Sequence, residues 1–170
     1  MSADLTGTYL TLDDGRPAVR FSRTYDHSVE RVWQYVTDAD ELAHWFPSRA
    51  EIDPRPGGEI RFSGDPNMAD SKGRVLSVDA PRHLSFEWGG DELHFDLEAL
   101  DEKRTRFTLT NVLSEADTAA RNGAGWEVCL AALETYANGS PTRSQAPWKE
   151  FYDGYVAAGV PSGAPVPGLG

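Results

Sequence analysis

The protein has 170 residues, enough for one ordinary domain, and 39% of them are hydrophobic and 11% aromatic, which argues against a disordered chain. Lys and Arg together number 16 and Asp and Glu 27, so the formal net charge is −11. Phosphate backbones and anionic lipid surfaces repel such an acidic chain, and we therefore expect neither nucleic acid nor a membrane among its partners. The single cysteine, Cys129, excludes an internal disulfide framework and a cysteine-based zinc site.

No transport signal is visible at the amino terminus, because residues 1–11 contain neither a basic region nor an apolar one. The longest apolar run of interest, residues 128–133, is far shorter than the roughly 20 residues that span a bilayer. We therefore expect a cytoplasmic protein.

The first pattern along the chain predicts a β-hairpin over residues 8–25. Its two β-prone runs, 8–12 and 18–25, flank the turn Asp13-Asp14-Gly15, whose glycine tolerates a positive φ.

Two helices are predicted next. Ser28 is the expected N-cap of the first helix, and apolar residues recur at helical spacing in Val29, Val32, Trp33 and Val36. The second helix is short: Asp38 or Asp40 caps it, Trp45 and Phe46 lie in it, and Pro47 stops it.

From residue 50 to residue 111 the pattern becomes strand after strand. Apolar and polar side chains alternate in each run, which predicts an antiparallel meander with one solvated face. The runs are 60–62, 72–79, 84–88, 93–99 and 107–111.

A long helix is predicted after the strands, from a capping box at residues 114–117 to Asn138-Gly139. Its apolar stripe consists of Trp126, Leu130, Leu133 and Ala137. Gly123 and Gly125 inside the helix cost about 1 kcal/mol each relative to alanine, which predicts the close approach of a strand or a ligand.

The carboxyl-terminal region is predicted to form a helical appendage over residues 146–158. Its aromatic stripe, Trp148, Phe151, Tyr152 and Tyr155, is expected to dock on the domain. The density of Pro and Gly then predicts a disordered tail over 159–170, so that residues 1–158 form a single domain.

This order of elements predicts an α+β protein. Its sheet of about six or seven antiparallel strands curves around the long C-terminal helix, and the two short helices close one end. Because a curved sheet leaves space between its inner face and the helix, we expect a cavity there.

Six segments carry a resemblance that covers roughly residues 17–138. They are VERVW (29–33), LAHWF (42–46), GGEIRF (57–62), VDAPRHLSFEW (78–88), TRFTLT (105–110) and GW (125–126). In this order they resemble the START-like, or SRPBCC, superfamily with its helix-grip fold, and within it the bacterial homologues of the activator of the heat-shock-protein-ninety ATPase. In such relatives the strand before the last helix often ends in His, where this chain has Asn111.

The resemblance implies a cavity that binds lipids, hormones, polyketides or other apolar small molecules, and a minority of the superfamily are enzymes. The eukaryotic namesake has an additional chaperone-binding domain that this chain is too short to hold.

The inward faces of the strands and the last helix supply the candidate ligand-binding residues. These are Trp45, Phe46, Phe62, Arg74, Phe86, Trp88, Phe95, Phe107, Leu109, Asn111, Trp126 and Leu130. The alternative is that these rings simply fill the core. Trp88 and Trp126 are the strongest candidates, because a buried indole N–H needs a partner. Asn111 is either a polar anchor near the cavity mouth or a strand-end cap.

Metal binding and catalysis have weaker support from the sequence than ligand binding has. His94, Asp96 and Glu98 suggest an acid–base or metal cluster, but they alternate with apolar residues and so belong to a solvated face. The four histidines lack metal-ligand spacing, no Gly-x-Ser-x-Gly elbow occurs, and Cys129 lies in the helix stripe as an inert thiol. We therefore expect no metal, no cofactor and no catalytic residue. Arg74 is a candidate inward charge, because it shares a strand face with Leu76 and Val78.

Three functions remain open. The first, which we expect, is a binder of an apolar small molecule without a cofactor. The second is a cyclase or hydrolase in the same cavity, which needs two convergent polar groups on the inner wall. The third is a protein-interaction module, such as a chaperone cofactor, that uses residues 148–155. The oligomeric state is left open, a homodimer included.

Overall fold

Eight strands form one open antiparallel sheet in the computed structural model, which describes residues 5–65, 69–139 and 147–164. The strands are β1 Thr8–Thr11, β2 Pro17–Tyr25, β3 Arg49–Ile52, β4 Glu59–Ser63, β5 Ser71–Asp79, β6 His83–Trp88, β7 Asp91–Asp101 and β8 Arg104–Val112. Their spatial order is β1-β2-β8-β7-β6-β5-β4-β3. The predicted α+β helix-grip fold is confirmed, with eight strands in place of the predicted six or seven; β3 is not among the predicted runs.

The described helices are α1 Val29–Thr37, α2 Ala39–Leu42, α3 Ala119–Ala137 and α4 Trp148–Ala157, with a 3-10 helix at Ala116–Thr118. The face of the sheet that carries Phe86, Phe95 and Phe107 packs into the core with α1, α2 and α3, and we call it the inner face. The opposite, outer face is mainly polar. Within the residues described, no helix is both long and apolar enough to cross a membrane.

Hydrogen bonds at the helix starts confirm one predicted cap and correct another. The hydroxyl of Ser28 accepts a hydrogen bond from the backbone N–H of Arg31 at 3.3 Å, which confirms the predicted N-cap of α1. The predicted capping box at residues 114–117 is wrong: α3 begins at Ala119, and the hydroxyl and backbone N–H of Ser114 both donate to Asp91 Oδ1 at 2.9 Å. Ser114 therefore ties the chain to β7 and is not available to cap α3.

The helix α4 explains a glycine in α3. A Cβ on Gly123 would lie 3.3 Å from the ring of Tyr155, so the small residue lets α4 pack closely. The sequence analysis expected a strand or a ligand at this position, and that expectation is wrong. The predicted docking of the aromatic stripe is confirmed, because Tyr155 is buried and Trp148, Phe151 and Tyr152 pack around it.

The start of the predicted tail also lies against α3. The backbone N–H of Ala120 donates to the carbonyl of Pro161 at 3.0 Å, and the N–H of Ala164 donates to the carbonyl of Asp117 at 3.4 Å. The Ala120 N–H is one of the free donors at the helix start. The two bonds hold residues 161–164 against α3, whereas the sequence predicts disorder from residue 159. Residue 146 of the predicted appendage and residues 165–170 of the predicted tail lie outside the described residues.

Candidate functional site

Aromatic rings from the segment after α2 occupy the space between the inner face of the sheet and α3. Trp45 is fully buried, its ring centroid lies 5.9 Å from that of Phe95 and 6.2 Å from that of Phe107, and its indole N–H donates to the Tyr35 carbonyl at 2.8 Å. These rings lie in the region between the sheet and α3 where a cavity is predicted.

Phe46 lies at the centre of this aromatic packing. Its ring centroid is 5.8–6.4 Å from those of Phe62, Phe86, Trp88 and Trp126. Two of these contacts are edge-to-face, one is tilted and the one with Phe62 is stacked, and such arrangements are favourable for aromatic pairs. Phe46 thus joins the sheet to α3.

Most of the other candidate residues are core residues. Six of them are buried on the inner face or on α3: Phe62, Phe86, Phe95, Phe107, Leu109 and Leu130. Trp88 is partly buried, and its ring centroid lies 5.2 Å from that of Trp126.

Asn111 is the centre of a buried polar network at the start of α3. Its side-chain oxygen accepts hydrogen bonds from the Trp126 indole N–H and from Asn122 Nδ2, both at 3.1 Å. Its amide nitrogen donates to Asp91 Oδ2 at 3.0 Å. Asn111 therefore lies on the inner face, as predicted, and it is the hydrogen-bond partner that the buried Trp126 indole N–H requires. Because Asn111 is saturated by protein groups, it links β7, β8 and α3.

Arg74 does not belong to the inner wall, and this candidate is wrong. Its side chain is exposed. A register shift between Val75 and Ser77 interrupts the alternation, so Val75 and Val78 pair with inward residues of β6 while Arg74 faces out.

A shallow pocket opens at the other end of the inner face. It encloses about 190 Å³, counting the space open to solvent. Its lining comes from the start of β3, the ends of β4 and β6 and the start of β5: Ser48, Phe62, Ser63, Asp65, Ala69, Ser71 and Trp88. Two of the candidates, Phe62 and Trp88, form its aromatic wall, and both rings contact Phe46.

Two hydroxyls in this pocket have no hydrogen-bond partner among the residues that the structure describes. They are Ser48 Oγ and Ser71 Oγ, and both atoms are buried. Ser48 as a residue is only 7% exposed, and Ser71 lies opposite Phe62 on the neighbouring strand. The sequence analysis missed both, although alternation from Val75 through Gly73 places Ser71 on the inner face. A buried unpaired hydroxyl is costly, and each of these two has hydrogen-bonding capacity that the described residues do not use.

A buried carboxylate, also missed, lies on the other side of α3. Glu127 accepts hydrogen bonds from the backbone N–H of Thr6 at 3.0 Å and from its hydroxyl, and it pairs with Arg23 at 3.5 Å. The Tyr155 hydroxyl accepts from the Gly7 N–H at 3.0 Å, and burial, with the nearby Glu127 charge, raises the pKa of Tyr155. These contacts hold the amino-terminal segment and α4 on α3.

The outer face carries His94, Asp96 and Glu98 with at least partial exposure, as the alternation predicts. In the described part of the chain, no group of three or more His, Cys, Asp or Glu side chains is arranged to hold a metal ion.

Partial burial of His94 leads to a pH-dependent stability. Burial lowers the pKa of His94 below 6.5, with His83 and Arg16 acting in the same sense and Glu92 and Asp96 opposing. The unfolded chain then binds the proton more tightly, so the free energy of unfolding falls as the pH drops through about 6.5. Urea unfolding at pH 7.5 and pH 5.5 is expected to show a smaller loss in His94→Gln than in the wild type. An equal loss in both proteins would assign the pH dependence to other groups.

Comparison with known proteins places this fold among relatives. The profile of a family described as activator of Hsp90 ATPase homolog 1-like protein matches residues 26–138. No curated protein matches the sequence.

Several solved structures share the fold. A conserved protein of unknown function from Enterococcus faecalis, EF2215, is similar with a TM-score of 0.76 and 20% identity, over 89% of each chain. CalU16 from Micromonospora echinospora has a TM-score of 0.68 and 23% identity, over 92% of this chain and 98% of that one. DynU16, from the dynemicin biosynthetic locus, has a TM-score of 0.63 and 24% identity, over 75% of this chain and 49% of that one.

Proposed function

The chain belongs to the activator of Hsp90 ATPase homolog 1-like family, and on this premise we propose that its domain binds a small, flat, mostly apolar molecule that carries a hydrogen-bonding group. The binding site is the pocket between Ser48, Ser71, Phe62 and Trp88. The observation that carries the proposal is the pair of buried hydroxyls, Ser48 Oγ and Ser71 Oγ, which have no partner in the described part of the chain.

The chemistry of the pocket sets the class of ligand. Phe62 and Trp88 offer aromatic faces, which suit a planar ring, and the two serines offer O–H groups that both donate and accept. A ligand oxygen would satisfy a hydroxyl that is otherwise desolvated without compensation. A phenol or a ketone on an aromatic frame fits both requirements.

The size of the pocket limits the ligand to a small one. The volume of about 190 Å³ includes space open to solvent, so the enclosed part of the pocket is far smaller than the roughly 300–1,000 Å³ of sites for drug-sized molecules, and a flat ligand lies at its mouth unless side chains move. A larger ligand requires the Phe46 ring to move, because this ring lies behind both Phe62 and Trp88.

The polar groups of the inner wall and the pocket favour ligand binding over catalysis. The inward side chain of Asn111 is occupied by protein partners, and the two serines lie in a pocket that is lined by one carboxylate, Asp65, and by no histidine. General acid–base catalysis needs a positioned proton carrier beside the reacting group. The interaction-module alternative loses its contact segment, because the aromatic stripe of α4 packs on its own domain. In the proposed role the protein is cytoplasmic and uses no cofactor.

The test compares 1-naphthol with naphthalene, which share a ring frame and differ by one hydroxyl. We expect calorimetric titration of the wild type to give a lower Kd for 1-naphthol. The double variant Ser48→Ala, Ser71→Ala is expected to reduce that preference about 3–10-fold, the effect of about one net hydrogen bond. Ser22→Ala on the exposed part of β2 is the matched control and keeps the preference.

The same variants also provide a stability readout. Replacing an unpaired buried hydroxyl by a methyl group removes a desolvated polar atom, so Ser48→Ala is expected to leave the melting temperature unchanged or to raise it. An unchanged preference for 1-naphthol in the double variant, or no saturable binding of either compound to the wild type, would refute the proposed site.

A further inference from the structure

Three side chains on the outer face of the sheet form a chain of hydrogen bonds away from the pocket. Ser77 Oγ lies 2.8 Å from His83 Nε2, and His83 Nδ1 lies 2.7 Å from Asp96 Oδ1. The strand register produces this contact, because His83 is paired with Asp96 on β7 and follows Ser77 across the turn between β5 and β6. A hydroxyl, an imidazole and a carboxylate in this order are the components of an activated serine nucleophile.

The positions of the protons follow from the partners. A carboxylate only accepts, so Nδ1 of His83 carries the proton that bonds to Asp96. In the neutral imidazole Nε2 is then an acceptor, and the Ser77 hydroxyl must donate to it. Ser85 Oγ lies 2.6 Å from Ser77 Oγ, and because the only proton of Ser77 is used, Ser85 is the donor in this pair.

The sequence analysis did not find this arrangement. Asp96 is predicted there only as a solvated residue of one strand, together with His94 and Glu98. The register shift between Val75 and Ser77 turns Ser77 to the outer face, opposite Ser85, and no local pattern encodes that shift.

We propose that Ser77, His83 and Asp96 form a second site, independent of the pocket, that hydrolyses small uncharged esters with good leaving groups. Ser77 is the nucleophile, His83 the general base and acid, and Asp96 a positioning residue that orients the imidazole. The His83 and Asp96 side chains are 28% and 54% exposed, so a substrate meets them from solvent without entering the core.

The surroundings restrict the substrate. Glu92 and Glu98, on the same face of β7 as Asp96, are paired with Arg16 and Arg106, so it is the net charge of −11 on the whole chain that repels an anionic ester. Leu76, next to Ser77 in the chain, is 41% exposed and offers an apolar surface beside the nucleophile. A short acyl group fits this open face. Because an open face offers few contacts that could stabilise a departing group, the ester needs a good leaving group.

The reaction proceeds in two balanced steps. Ser77 Oγ forms a bond to the carbonyl carbon while its proton passes to His83 Nε2, and the bond to the leaving oxygen then breaks as the proton moves from His83 to that oxygen. Water attacks the acyl-serine in the second step and gives its proton to His83. The bond between the acyl carbon and Ser77 Oγ then breaks, and the proton returns to Ser77. The products are one alcohol or phenol and one carboxylic acid.

The test uses p-nitrophenyl acetate as substrate and a fluorophosphonate as a serine-directed label. The wild type is expected to release p-nitrophenol catalytically and to carry the label on Ser77, as peptide mass spectrometry identifies it. Ser77→Ala and His83→Gln are each expected to lower the rate by roughly 100-fold. His44→Gln, an exposed histidine on another part of the surface, is the control and leaves the rate unchanged.

Asp96 has its own readout. Asp96→Asn is expected to lower the rate by a factor that approaches the roughly 100-fold expected for Ser77→Ala, because an amide favours the wrong imidazole tautomer. Asp96→Glu is expected to restore most of the rate at equal melting temperature, which a purely structural role would not require. An exposed imidazole alone also hydrolyses this ester, so a full rate in Ser77→Ala overturns the proposal. Absence of label on Ser77 in the wild type also overturns it, and this readout does not depend on the folding of any variant.

Discussion

Replacing Phe46 by alanine is expected to lower the free energy of unfolding by about 3–5 kcal/mol, the usual cost of a phenylalanine deleted from a core. Phe46 is buried, and its ring contacts four other aromatic rings on the sheet and on α3. The surrounding rings belong to separate elements and cannot all move into the space. Urea unfolding monitored by circular dichroism measures the loss.

Phe46→Ala also tests the link between the core and the pocket. The deleted ring lies behind Phe62 and Trp88, so the new space joins the pocket and gives it an apolar interior. Naphthalene is then expected to raise the melting temperature of this variant more than that of the wild type, because apolar cavities accept apolar guests.

Val156→Ala is the matched control for this experiment. Val156 is 42% exposed on α4, and its replacement is expected to change the stability by less than about 0.5 kcal/mol. A loss of less than about 1 kcal/mol in Phe46→Ala would contradict the aromatic packing described for this residue.

The second large effect is expected at Asn111. Replacing it by leucine removes the acceptor of the buried Trp126 indole N–H and a donor to Asp91, and the free energy of unfolding is expected to fall by about 2–4 kcal/mol. Trp126 fluorescence is expected to change in the folded state, because the indole loses its hydrogen-bond partner.

Asn111→Asp makes the same position pH-dependent. The new carboxyl lies beside Asp91, 3.0 Å from the present amide, and both burial and the like charge raise its pKa in the folded protein above the unfolded value of about 3.9. Stability is therefore greatest below that unfolded value and is lost as the pH rises through the folded pKa. Measured from pH 4 to pH 8, the deficit of this variant relative to the wild type is expected to grow with pH.

Asn138→Asp makes the same chemical change at the exposed end of α3. Its deficit is expected to stay small over this pH range. A constant deficit in Asn111→Asp across the range would mean that the carboxyl at this position reaches solvent and that the network opens.

The strands and the identity of each face could be predicted from local patterns. Alternation of side chains determines which face of a strand is apolar, and it correctly turned Asn111 inward and His94 outward. The family was recognised from short segments spread over the chain, and the matched residues 26–138 confirm it. Helix ends were predicted correctly where one residue fixes them. Ser28 caps the start of α1, and Gly139, with its positive φ, follows the end of α3.

Predictions failed where a residue's environment depends on a distant partner. Arg74 was placed inward because alternation was continued through a register shift that only the pairing with β6 reveals. Ser114 has the chemistry of a cap, yet it bonds to Asp91, which is 23 residues away in the chain. Local patterns also did not show that Trp45 and Phe46 contact rings of distant strands, because these contacts join segments far apart in the chain.

The sequence by itself determined the elements, their faces and the family, because periodicity, turns and caps act over a few residues. Only the tertiary structure decided which buried groups are satisfied and which are free. Hydrogen-bond partners come from strands and helices far apart in the chain: Asn111 and Trp126 are partners of each other, whereas Ser48 and Ser71 have none in the described part of the chain. The placement of Ser77, His83 and Asp96 in one line likewise depends on the register of three strands, which is a property of the assembled sheet.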